Sequence, residues 1–203
     1  MMYKEAISKL VTDVLDGTEL ELKADTYTLE ENFEAGAARL RCEVHDARTG
    51  ARQVIEGQGV GLVDALWNGV VSRYSSEFPS LKSIRIVDFA IKANVDTGRQ
   101  ASRTDMAAMV TLRIANTSGK EFAFSHSSPS ITRSSVAAVL DAVEFFVNSE
   151  SAYIALYKAL QHARAQNRVD SVARYTSQLA TLVEATSYSE VIEQIRKGEL
   201  DKK

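Results

Sequence analysis

Three groups of residues in this 203-residue chain have types and spacings that could do chemistry. The first is Gly57-Gln58-Gly59-Val60-Gly61, set between the strand-like Arg52-Gln53-Val54-Ile55-Glu56 and a helical stripe of Val63, Leu66, Trp67, Val70, Val71 and Tyr74. Glycines between a strand and a helix let backbone amides close on an anion, as in a dinucleotide phosphate cradle. A Rossmann unit also needs parallel strands and an acidic residue ~20 positions on at a strand end. This chain reaches its glycines through an antiparallel meander, so the choice lies between a tight approach to the helix and an anion site of another kind.

The second group is Cys42 and His45, with His126 and His162 completing the inventory. Residues three apart on a strand face opposite ways, so Cys42 and His45 cannot share one ion, and no metal site is expected. The third is Ser125, His126, Ser127 and Ser128 with Asp105 or Asp141, the ingredients of acyl transfer. Ser127-Ser128-Pro129-Ser130 stands just before a helical stripe, where hydroxyls cap free amides and Pro fits the first turn, so capping is the expected role. His126 alternates with Phe122 and Phe124 and is expected to end a core-facing row. No catalytic residue and no cofactor are assigned.

The elements that must position these groups follow from periodicity. Ile7, Leu10, Val11 and Val14 form a short amphipathic helix that Asp16-Gly17 would stop. Leu20 and Leu22, then Leu40, Cys42 and Val44, alternate with charged residues as half-buried antiparallel strands, and Thr49-Gly50 turns the chain into a third. After Pro79-Ser80 the order repeats. Ile84, Ile86, Val87 and Ile91 open a strand, Val110, Leu112 and Ile114 alternate 70 positions after Leu40, Cys42 and Val44 (110 − 40), and Asn116-Thr117-Ser118-Gly119 turns into Phe122, Phe124 and His126. Val136, Val139, Leu140 and Val143 repeat the first helix 73 positions on (136 − 63). The Trp67 and Tyr74 stripe is read as core.

Composition bounds the function. With 24 Lys plus Arg against 27 Asp plus Glu, a pI near 5.7 and 45% hydrophobic residues, the chain can bury a core and lacks a duplex-binding charge. Lone Cys42 forms no internal disulfide, Met1-Met2-Tyr3-Lys4-Glu5 is not a signal-peptide order, and no apolar run reaches membrane-span length. A cytoplasmic protein with neither nucleic-acid nor membrane partners is expected. Beyond Asn148 helical stripes return at Tyr153, Leu156, Tyr157 and Leu160 and at Val169, Val172, Thr176, Leu179 and Val183, with Gln166-Asn167 as a break. A short last helix is expected around Val191, Ile192 and Ile195, before a frayed end.

With the repeat in view, Glu56-Gly57-Gln58-Gly59-Val60-Gly61-Leu62-Val63-Asp64-Ala65 resembles the Gly-x-Gly-x-Gly-Pro-Val-Asp-Ala segment of the C-terminal regulatory domain of 2-isopropylmalate and citramalate synthases. Thr104-Asp105 and Ser128-Pro129-Ser130-Ile131 are similar to that family's Thr-Asp-Ala and Ser-x-Asp-Ile segments, so the resemblance covers residues 20 to 148. It implies two βββα units, a homodimer, and a branched-chain amino acid (leucine or isoleucine) held at Gly57, Gly59, Gly61, Leu62, Val63, Asp64, Ala65, Asp105, Ser128, Ser130 and Ile131. Leu62 stands for the family's Pro and Ser130 for its Asp. The family's catalytic barrel, about 250 residues, is longer than this chain, so no synthase activity is expected here, and any link to it would run through a separately encoded enzyme.

The expectation is therefore an α+β protein of two pseudo-symmetric βββα units, with an N-terminal helix at 1–17, unit one at 18–78, unit two at 79–148 and a helical extension at 149–203. It would work as an allosteric amino-acid sensor, or alternatively as a ligand-free dimerisation or partner-docking module on the same fold.

Overall fold

The computed structural model describes residues 2–93 and 107–185. Helix α1 (Met2–Leu15) turns Ile7, Val11 and Leu15 inward and stops where Asp16 and Gly17 take positive φ, as the Asp-Gly pair predicts. Strands β1 (Leu22–Asn32), β2 (Ala37–Asp46) and β3 (Arg52–Gly59) form one antiparallel sheet in that order, followed by α2 (Leu62–Tyr74) and a short 3-10 turn at Pro79–Ser83. Strands β4 (Arg85–Ala93), β5 (Ala108–Ala115) and β6 (Glu121–Ser128) form a second antiparallel sheet, followed by α3 (Ile131–Ala165) and α4 (Val169–Val183). The α+β class and the doubled βββα unit are as the sequence predicts.

Strand pairing carries the repeat into detail. Each first strand has a register shift at the matching place, between Ala24 and Thr26 and between Ile86 and Asp88. Gly57 lies opposite Leu40 and His126 opposite Val110, so the third strands are 69 positions apart (126 − 57). The helix N-caps, Gly61 and Ser130, are also 69 apart (130 − 61). The 73-position spacing expected for the helices is thus one turn too long. A slip of four residues keeps an apolar stripe in phase, so periodicity alone does not detect it.

Each helix covers only part of its sheet. α2 lies along β3 and reaches β2, while α3 lies along β6 and β5. Against α3, the rings of Phe122, Phe124, Phe145 and Phe146 meet with centroids 5.1–6.3 Å apart, mostly tilted or edge-on. Leu40, Cys42 and Val44 are buried as their alternation predicts. The half-buried reading of the first strand holds only at Leu22. Beyond it β1 runs ten residues further with every residue but the half-buried Leu29 exposed, because α2 does not extend over it.

A second correction concerns α3. The expected pause after Asn148 does not exist, and the helix runs unbroken for 35 residues. No Gly or Pro lies between Ile131 and Ala165, and the polar residues that interrupt the apolar stripe latch other elements. Asn148 accepts from the Leu20 amide at 2.8 Å and donates to the Leu20 carbonyl at 2.9 Å. Glu144 accepts the Leu22 amide at 2.5 Å, and buried Glu150 accepts the Ser80 amide at 3.0 Å. The helix therefore fastens the start of unit one's sheet and the start of unit two through side chains placed inside its own span. Asn167, with φ 54°, makes the expected break before α4, whose Leu179 and Leu182 are buried. The last helix expected around Val191 and the terminal residues lie outside the described residues.

Two tests follow from these latches. Asn148→Ala leaves two backbone groups of Leu20 without partners and should lower unfolding free energy by about 2 kcal/mol in a denaturant titration. Burial pushes the Glu144 carboxyl up from its usual 4.5 to about 7. Its protonated form is favoured in the folded state, so stability should fall as pH rises from about 4.5 through about 7. Glu144→Gln should flatten that part of the stability–pH curve relative to the parent, and an unchanged slope would show that Glu144 is not its source.

Candidate functional site

The glycine segment divides between two elements. Gly57 and Gly59 belong to β3, Gly61 is the N-cap of α2, and Leu62 to Ala65 form the first turn of that helix. The glycines let α2 lie directly on the strand. A Cβ at Gly57 would stand 1.9 Å from the Ala65 carbonyl oxygen, one at Gly59 would stand 2.6 Å from the Ala65 amide, and one at Gly69 would stand 2.8 Å from the Glu56 carbonyl. Space above the first two glycines is therefore occupied by the helix backbone. Asp64 reaches back, its Oδ2 accepting the Val60 amide at 3.0 Å, which closes the turn. Ala65 is buried, and Leu62 and Val63 pack their inner sides on the core.

The second helix start is capped by its own serines. Ser130 accepts the Arg133 amide at 3.2 Å, and the Ser128 hydroxyl lies 2.8 Å from both the Ser134 hydroxyl and the Ser130 carbonyl. Pro129 precedes the cap rather than occupying the first turn, and Ile131 is exposed. Asp105, with Thr104, lies outside the described residues. The two loops border different spaces: Gly57 lines an open groove of about 570 Å³ with Arg39, Arg41 and Asn68, whereas Ser130 lines one of about 600 Å³ between β1 and α3.

The remaining candidates resolve by face. His126 sits on the core side of β6 beside Phe122 and Phe124, its Nε2 2.6 Å from Asp141 Oδ2. Ser125 and Ser127 lie on the opposite face, and the Ser125 hydroxyl bonds Thr111 at 2.9 Å. Neither serine can share a proton with the His126–Asp141 pair. Cys42 is fully buried, and desolvation pushes its thiol up to about 11, so it is a core residue without thiolate reactivity. Among the described residues no group of His, Cys, Asp and Glu is placed to hold a metal ion, and no helix is long and apolar enough to cross a membrane. Trp67 and Tyr74 are core, with the Tyr74 hydroxyl bonded to Gln53.

Sequence reading missed the wall of the second groove. Arg133, Val136, Ala137, Leu140 and Asp141 line it from α3, opposite Leu22 to Tyr27 of β1. The i, i+3, i+4, i+7, i+8 spacing was visible, but only the tertiary approach of β1 marks that stripe as a groove wall.

Compared with known proteins, residues 1–147 match the family described as the LeuA allosteric (dimerisation) domain. No curated protein matches the chain.

The glycines make opposite predictions. Gly57→Ala must push α2 off β3 and should lower unfolding free energy by about 3 kcal/mol, with a matching drop in melting temperature. Gly61→Ser, where a Cβ meets nothing nearer than 3.9 Å and would restore the cap found at Ser130, should be neutral or stabilising by a few tenths of a kcal/mol.

Proposed function

The chain belongs to the LeuA allosteric (dimerisation) domain family, and from that premise we propose that it is a non-catalytic regulatory-type module that pairs with a second copy of itself and binds a branched-chain amino acid or similar small metabolite. The observation that carries the pairing is an aromatic–aliphatic pair repeated on the first strand of both units, exposed at every member except the half-buried Leu29. Tyr27 and Leu29 on β1, and Phe89 and Ile91 on β4, project on the core side of their sheets, beside Cys42 and Leu40 and beside Leu112 and Val110. Phe89 is 37% exposed and Ile91 46%, values high for aromatic and branched residues on a core-side row. A second copy offers the missing cover at both places at once, which suits an isologous contact.

For the ligand, the reading rests on the two helix starts, Gly61 to Ala65 and Ser128 to Ile131, with Asp105 as a further contributor by family resemblance. First-turn amides have no partner within their helix and suit a carboxylate. Any link to 2-isopropylmalate synthase activity in leucine biosynthesis would run through a separately encoded enzyme.

One observation favours the second reading, a module that keeps the dimer and has no ligand. The helix backbone occupies the space over Gly57 and Gly59, and the Asp64 carboxylate is already engaged. Calorimetry with leucine, isoleucine and valine separates the two readings. Saturable heat with one of them supports sensing, and no heat at millimolar concentration leaves the ligand-free module.

The pairing makes its own prediction. In sedimentation the parent should run at twice 22.3 kDa and a Phe89→Glu, Ile91→Glu double variant at 22.3 kDa with its fold intact. A parent of 22.3 kDa at high micromolar concentration would contradict it.

A further inference from the structure

We propose that the acidic tip of the β1–β2 hairpin of one copy docks on the basic bend between α3 and α4 of a second copy. The inference rests on the pairing proposed above and gives that pair a direction. The bend lies beyond residues 1–147, the part of the chain that matches the family.

The two ends carry opposite charge. Glu30, Glu31 and Glu34 stand exposed at the hairpin tip, with Arg39 as the cation across the strand from Glu30. Lys158, Arg164, Arg168 and Arg174 stand exposed on the last turns of α3 and the first turns of α4, with Asp170 as the acid among them. Among the described residues, none of the three tip carboxylates or the four bend cations has an ion-pair partner within 4 Å. Each end also bares a large apolar side chain, Phe33 at 90% exposure and Val169 at 77%. Glu31 continues the core-side row of Tyr27 and Leu29, and Phe33 stands in the turn just past it, so the tip extends the face that the pairing covers. A lone surface ion pair contributes little. Several carboxylates set against several cations around an apolar contact that excludes water give both attraction and a fixed register.

Lengths decide which copy the tip meets. Leu22 is fastened at Glu144, and Lys23 to Tyr27 share a groove with residues 130–141, so β1 runs back toward the start of α3 while the bend lies at the other end of that helix. From Leu22 to the hairpin turn is ten residues (32 − 22), at most ~33 Å of strand. From Glu144 to the end of α3 is 21 residues (165 − 144), ~31 Å of helix. Tip and bend of one chain therefore point apart and cannot meet each other. A two-fold axis crossing α3 near Glu144 reverses the second copy, and the two near-equal arms then bring each tip to the other copy's bend. An isologous pair forms this contact twice.

Sedimentation equilibrium of the full chain at low and high salt tests the contact. Reversing the tip (Glu30→Lys, Glu31→Lys, Glu34→Lys) or the bend (Arg164→Glu, Arg168→Glu, Arg174→Glu) should weaken the dimer by about tenfold or more at low salt and by less at high salt. The chain carrying both sets should return to within about threefold of the parent, because its charges are exchanged rather than removed. Should a reversed chain fail to fold by circular dichroism, thiol cross-linking decides instead. Phe33→Cys chains mixed with Val169→Cys chains should be joined by a short bismaleimide into a species of twice 22.3 kDa, with the buried Cys42 silent, and Phe33→Cys chains alone should stay single. A parent dimer indifferent to both reversals, reversals that the combined chain does not rescue, or a missing mixed cross-link would overturn the docking while leaving the pairing in place. A parent of 22.3 kDa at high micromolar concentration would overturn both.

Discussion

One helix cannot cover three strands. A helix with its side chains is about 10–12 Å across, whereas three strands spaced ~4.8 Å apart present a face of roughly 14 Å. In each unit the helix settles over the second and third strands, because it follows directly from the third and its small residues or aromatic partners draw it there. For α2 the draw is close backbone contact permitted by Gly57, Gly59 and Gly69, and for α3 it is the phenylalanine cluster. The first strand is left open in both units, with an aromatic and an aliphatic residue facing the uncovered side. Two units built this way within one chain carry the same deficit twice.

The long helix α3 partly offsets that deficit inside the chain. Its carboxamide and carboxyl groups at Glu144, Asn148 and Glu150 take up backbone groups just before and at the start of β1 and at Ser80, ahead of β4. These bonds fix where the first strands begin and leave their far ends unsupported. Burial of Glu144 and Glu150 raises the pKa of both carboxyls, which ties the hold on the first strands to proton binding. The groove beside β1 exists for the same reason, since the strand is fastened to α3 at Leu22 and diverges from it toward Tyr27 and its neighbours.

Alternation and turn chemistry made most of the fold legible. Leu40-Cys42-Val44 and Val110-Leu112-Ile114 could be read as strands because a covered sheet has one dry face, and Asp16-Gly17 as a stop because φ turns positive there. β1 was hard to read beyond Leu22 for the converse reason: an uncovered strand has no dry face to impose a pattern. Asn148 misled because a buried polar residue in a helix looks like an end when its partner is distant in sequence. At the glycines the choice between a tight approach of the helix and a ligand site stayed open, because sequence does not say whether the approaching group is a ligand or the protein's own helix. Arg133 had no signal of its own, since a charged residue flanking an apolar stripe is the ordinary surface pattern of any helix, whereas Asp141 could be named as a carboxylate for His126 and is paired with it.

Amide hydrogen exchange followed at low and high protein concentration tests the uncovered-strand account most directly. Peptides spanning 22–32 and 85–93 should gain protection together as concentration rises, while the outer turns at Gly50 and Gly119 exchange at the same rate throughout. Identical exchange of both first strands at every concentration, in a chain whose helices remain protected, would contradict it.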